Sequence, residues 1–193
     1  MGLSFHYSGA FKNNVPLSDL IEEVKDIAQA NQWKYTVYEK QFSEADFGKD
    51  TYKEKIFGIS FSPQECEPVY LCFLSNGKLS SPSHLQMFGR SKNPDDRKYL
   101  YMLSVKTQYA GIHTHKRIID LLKYLDKKYL SELKVSDEGQ YWETGDDELL
   151  EKIFRRYDEA FEMLGSALDR NSRIPTESFE QYLQRILRQK GKK

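Results

Sequence analysis

The chain has 193 residues, 39% hydrophobic and 13% aromatic, which excludes a disordered polymer and supplies enough apolar surface for a core without disulfides or metal. Its 29 basic and 29 acidic side chains cancel, so no global field gathers nucleic acid or anionic lipid around it. The length suits one domain spanning 1–193, and 13 Tyr with 11 Phe argue for strands over a purely helical bundle.

Leu3, Phe5 and Tyr7 alternate with Ser4, His6 and Ser8, the period of a half-buried strand, which Gly9 should close. Asn13 and Asn14 precede Pro16, a helix opening, and Leu17, Leu20, Ile21, Val24, Ile27 and Ala28 then recur at helical spacing as far as Asn31. Trp33, Tyr35 and Val37 define a second strand, and residues 40–55 read as a polar loop. Phe57, Ile59 and Phe61 give the third strand and Val69, Leu71 and Phe73 the fourth, with Asn76-Gly77 marking a hairpin. Residues 80–97, with Pro82, Gly89 and Pro94, read as a long surface loop.

Tyr99, Tyr101, Leu103 and Val105 form the expected fifth strand, and after Gly111 a helix carries Ile118, Ile119, Leu122, Leu125 and Tyr129. Leu133 and Val135 suggest a short sixth strand. Asp146 opens the clearest amphipathic helix, with Leu149, Leu150, Ile153, Phe154, Tyr157, Phe161, Leu164 and Leu168 on one face. Past a break at 169–175, Phe179, Tyr182, Leu183, Ile186 and Leu187 mark a further helix that trails into Lys190, Lys192 and Lys193.

These elements predict an α+β fold: a mixed sheet of about six strands, built from two β-α-β-like units at 3–40 and 99–138, with C-terminal helices over 146–189. Tyr7-Ser8-Gly9 and Tyr109-Ala110-Gly111 hold matching places in the two units and suggest an internal duplication. The first residues lack the basic start and apolar run of a signal peptide, and His6 stands where a myristoylation signal wants Ser or Thr. No run approaches 18 apolar residues, so the expected setting is the cytoplasm, with Cys66 and Cys72 as free thiols.

Two stretches carry chemistry. Asp137, Glu138, Glu143, Asp146 and Asp147 put five carboxylates into eleven residues with two glycines and two aromatics, a donor set for a hard divalent cation. The spacing of a calcium loop is absent, and the competing reading is a helix N-terminus, where carboxylates suit the exposed N–H groups. The second stretch, Gly111, His113, His115, Lys116 and Arg117, is a glycine turn with two imidazoles and two cations, a candidate anion cradle. His113 and His115 could share a metal only on extended backbone, because on a helix they diverge by some 200°. His115 also lies three and four residues before Ile118 and Ile119, where a satisfied core histidine is expected. His6 and His84 stand alone, and no nucleophile elbow, phosphate loop, dinucleotide fingerprint or paired-cysteine motif occurs.

The aromatics fall on core faces without basic interleaving, so nucleic-acid binding is not expected, and neither is a membrane. The reading is a soluble binding or interaction module for a protein or small molecule, open to self-association and needing no cofactor. The alternative is a metal-assisted hydrolase built on the 137–147 carboxylates with His113 or His115 assisting.

Overall fold

The computed structural model describes residues 2–42, 47–49 and 51–170, together with Ser178, Glu180, Gln181 and Arg185. In chain order these form β1 (Ser4–Phe11), α1 (Leu17–Ala30), β2 (Lys34–Val37), β3 (Phe57–Ser62), β4 (Val69–Phe73), α2 (Pro82–Phe88), α3 (Pro94–Tyr99), β5 (Leu103–Lys106), α4 (Gly111–Lys128), β6 (Leu130–Asp137), α5 (Tyr141–Thr144) and α6 (Asp147–Arg170).

The fold is α+β, but the strands do not make one mixed six-stranded sheet. They make two three-stranded antiparallel sheets, ordered β5-β1-β6 and β2-β3-β4. The reason lies in β1. Its first half pairs with β5 from Ser4↔Lys106 to Tyr7↔Leu103, while β6 lines its other edge. Beyond the end of β5, the turn after β4 takes over that edge through the Ala10↔Lys78 bridge, with the Leu79 N–H donating to the Gly9 carbonyl. This corner, with the further bridge Phe73↔Leu79, is where the sheets meet.

The first expected unit, 3–40, therefore has its strands in different sheets. In the second, 99–138, β5 and β6 both run antiparallel to β1 between them and so parallel to each other, with α4 crossing over: a split β-α-β arrangement. The two units hold unlike places, and the suggested duplication is not confirmed.

Three local expectations also change. Residues 80–97 contain α2 and α3, because Pro82 and Pro94 stand at first helical positions rather than as breakers. Ser81 and Asn93 cap them, their side chains accepting from the N–H groups of His84 at 3.1 Å and Asp95 at 3.0 Å. Tyr99 consequently ends α3, and β5 begins only at Leu103. Gly9 does not close β1 but lies inside it, at a shift in register between Ser8 and Ala10. A Cβ there would come within 3.1 Å of the Leu133 backbone, a tight fit, so a side chain would crowd the bulged crossing of β1 and β6.

Side chains from both sheets, α1, α4 and the start of α6 form one buried cluster that includes Phe5, Tyr7, Ile21, Phe61, Phe73, Ile118, Leu150 and Phe154. The Tyr7 hydroxyl ties the sheets together: it donates to the Tyr70 carbonyl and accepts from the Tyr70 N–H, both at 2.9 Å. The opposite face of β1, with Ser4, His6 and Ser8, turns away from that core. After Phe154, residues 155–163 of α6 are half-buried or exposed. The predicted helix over 179–187 lies outside the described residues except for Glu180, Gln181 and Arg185. Among the described residues no helix is long and apolar enough to cross a membrane.

Candidate functional site

Because β5 and β6 are parallel, their C-terminal ends lie at one end of the sheet, beside the start of β1. Thr107 follows β5, Asp137 ends β6, and α4 sets out from the same place with His115 in its second turn. The split topology thus gathers a hydroxyl, an imidazole and a carboxylate from distant positions in the sequence. The Phe5↔Asp137 register turns Asp137 inward.

The His115 Nδ1 lies 2.8 Å from the Thr107 Oγ1, and its Nε2 lies 3.2 Å from the Asp137 Oδ2. Nε2–H donates to the carboxylate, and Nδ1 pairs with the Thr107 hydroxyl, which also lies 3.5 Å from the Leu3 carbonyl. Asp137 Oδ1 also accepts from the Gly139 N–H at 2.7 Å, and Oδ2 from the N–H groups of Tyr141 and Trp142 at 2.9 and 3.0 Å. The Thr107 N–H donates to the Leu3 carbonyl at 3.0 Å, which pins the start of β1 to the group.

The His115 and Asp137 side chains are 0% exposed. Phe5 and Phe154 meet the imidazole edge-on, with ring centroids at 6.1 and 5.6 Å. Gly139 seals the remaining side: a Cβ there would stand 2.9 Å from the His115 Nε2 and 2.7 Å from the Leu150 Cδ1. Burial pushes the Asp137 carboxyl up, but the His115 hydrogen bond and charge, with the Trp142 and Gly139 N–H groups, outweigh it and hold it below the usual carboxylate range.

Hydroxyl, imidazole and carboxylate in a row are the parts of a nucleophilic relay. In a cleft they would activate the hydroxyl. Here every partner is internal, and the group binds the ends of β5 and β6, the start of β1 and the first turns of α4 and α5 into one knot.

The other candidate residues scatter. Gly111 opens α4, and His113 faces solvent while His115 faces the core, so the two do not share a ligand. Lys116 pairs with Asp147 at 2.6 Å and lies over the Tyr141 ring, whereas Arg117 donates to the Asn31 side chain at 3.1 Å. The cradle therefore points in three directions. Of the carboxylates, Glu138 accepts from the Ser4 N–H at 2.8 Å, Asp146 caps α6 by accepting from the Leu149 N–H at 3.0 Å, and Glu143 is exposed. Among the described residues, no group of three His, Cys, Asp or Glu side chains is placed to hold a metal ion. Cys66 and Cys72 are free, and burial pushes the Cys66 thiol up to about 12, away from thiolate reactivity.

One opening escaped the sequence reading. A shallow groove of ≈ 210 Å³ runs over the outer face of the β5-β1-β6 sheet, lined by His6, Ser8, Met102, Lys134 and Ser136 among others. The alternation in β1 placed His6 and Ser8 on this face, but only the register brings Lys134 and Ser136 beside them. No protein-family model, curated protein or solved structure matches the chain.

Proposed function

We propose that the chain is a non-catalytic binding or interaction module that meets its ligand on the outer face of the β5-β1-β6 sheet. The carrying observation is that Thr107, His115 and Asp137 are closed from solvent and use their polar atoms on one another and on backbone N–H groups. On the other side of the same sheet, His6, Ser8, Lys134 and Ser136 line one groove with Met102, which is 53% exposed. Such a set suits a small carboxylate- or phosphate-bearing ligand with a short apolar part. The free thiols support a reducing setting, and with it the cytoplasm.

The metal-assisted hydrolase is the second reading. It is favoured by the approach of His115 to Asp137, which joins its two stretches. It requires a route from solvent to a sealed pair.

Protein-observed NMR titration with hexanoate and with pyrophosphate separates the two. The binding reading expects shifts confined to residues 6–8, 102–104 and 134–136, abolished by Lys134→Glu. Shifts centred on 107, 115 and 137 would favour the hydrolase, and none at either place would defeat the sheet-face site.

A further inference from the structure

The register of the β5-β1-β6 sheet sets what stands beside the outward residues of β1. Ser8 is opposite Lys134, and His6 is opposite Ser136. Facing side chains in an antiparallel pair start roughly 5 Å apart. Successive side chains on one face of a strand stand about 7 Å apart. Ser8, Lys134, Ser136 and His6 therefore mark the corners of a small rectangle, and all four line the groove.

The charged neighbours of that rectangle are already committed. Glu138 accepts from the Ser4 N–H at 2.8 Å, and Lys106 holds its ammonium 5.6 Å from the centre of the Tyr109 ring. Among the described residues, the side chains of His6, Ser8, Lys134 and Ser136 make no hydrogen bond or ion pair with one another or with the rest of the chain. Their donors are free for a ligand.

The shape of an anion decides how many of them it can use. An ammonium, two hydroxyls and an imidazole N–H donate from four corners. A carboxylate is planar and has two oxygens, so it meets donors along one edge or one diagonal of the rectangle. The three terminal oxygens of a phosphoryl group point in three directions and reach across both rows. We propose that the groove selects a small phosphate monoester over a carboxylate, with the phosphoryl group above these four side chains and the carbon chain against Met102; the choice rests on the outer face being the binding face. The groove of ≈ 210 Å³ lies below the roughly 300 Å³ at which drug-sized pockets begin, so the carbon chain is a few atoms long.

Propyl phosphate, propyl sulfate and butanoate are similar in size and separate shape from charge. Each is titrated into the full chain by NMR above about pH 7, where the phosphate has largely lost its second proton. Propyl sulfate has the tetrahedral head of the phosphate with the single charge of butanoate. The expected order of affinity is phosphate, sulfate, butanoate, with about tenfold between first and last. Shifts should centre on residues 6–8, 102–104 and 134–136. Ser8→Ala/Ser136→Ala should weaken phosphate and sulfate about tenfold and butanoate less than about threefold, with amide shifts elsewhere unchanged as the check that the variant folds. Butanoate binding this face as tightly as propyl sulfate overturns the selection and leaves the outer-face reading standing. An equal loss for all three in the serine variant does the same. Shifts from none of the three, or shifts centred elsewhere, overturn both.

Discussion

Asp137 illustrates how much one buried carboxylate can organise. Its two oxygens accept three backbone N–H groups and face the His115 imidazole, so an amide cannot replace it: Asp137→Asn turns an NH₂ donor toward other donors. The expected loss is about 2–4 kcal/mol by urea titration near neutral pH. Its pH dependence has a definite sign. The folded carboxyl sits below its ordinary range, so its stabilisation is whole above the unfolded value of about 4 and drains as pH falls through the folded one. The gap between wild type and Asp137→Asn should therefore narrow as the titration is repeated below about pH 4. A gap that stays constant would mean the carboxylate form is not what holds the knot. Mg²⁺, Mn²⁺ or Zn²⁺ should leave the melting temperature unchanged, since a cation binding only the native state would raise it. A rise abolished by Asp137→Asn or Glu143→Gln would instead support the hydrolase. The sequence flagged both His115 and Asp137, and its helical phase already turned His115 inward. It could not pair them, because pairing depends on β5 and β6 running parallel around β1, and no local pattern encodes that.

α6 divides at its middle, and substitutions along it should show the division. Phe154 packs on His115 inside the core, so Phe154→Ala should cost about 3–5 kcal/mol. Glu159 is exposed, and Glu159→Ala should cost less than about 0.5 kcal/mol. Phe161 touches the exposed Tyr109 ring, so Phe161→Ala should fall between them, near about 1 kcal/mol. Urea midpoints rank the three, and a Phe161 loss equal to that of Phe154 would place the second half of the helix in the core. The unbroken stripe from Leu149 to Leu168 announces a long helix but carries no mark where the body stops. The opposite failure occurs over 80–97. There Ser81-Pro82 and Asn93-Pro94 combine a capping side chain with a first-turn proline, yet without long apolar stripes behind them α2 and α3 look like loop.

At the scale of the molecule, the strand positions were largely legible and their partners were not. Alternation locates β1 because one of its faces is buried, and large apolar residues at every second position locate β3 and β4 although both of their faces are largely buried, whereas β2 is exposed along most of its length and draws little support from pattern. What decides the architecture is that β1 changes neighbours along one edge, from β5 to the turn after β4. Tyr7 stands at that seam, and its hydroxyl answers both backbone groups of Tyr70 in the other sheet. If the two sheets form one cooperative domain, damage at the seam must lower both together. The two tryptophans report separately: Trp33 stacks on Phe61 of β3 at 5.1 Å, and Trp142 sits in α5 beyond the end of β6. Trp33→Phe and Trp142→Phe each leave one reporter, and their urea transitions should coincide in midpoint and slope. Adding Tyr7→Phe leaves the part-buried N–H and carbonyl of Tyr70 without that partner and should shift both transitions by the same amount, about 1–3 kcal/mol. Should only the Trp33 signal move, or the two separate, the chain would be two units touching at Tyr7, and the shared core would not be the unit of folding.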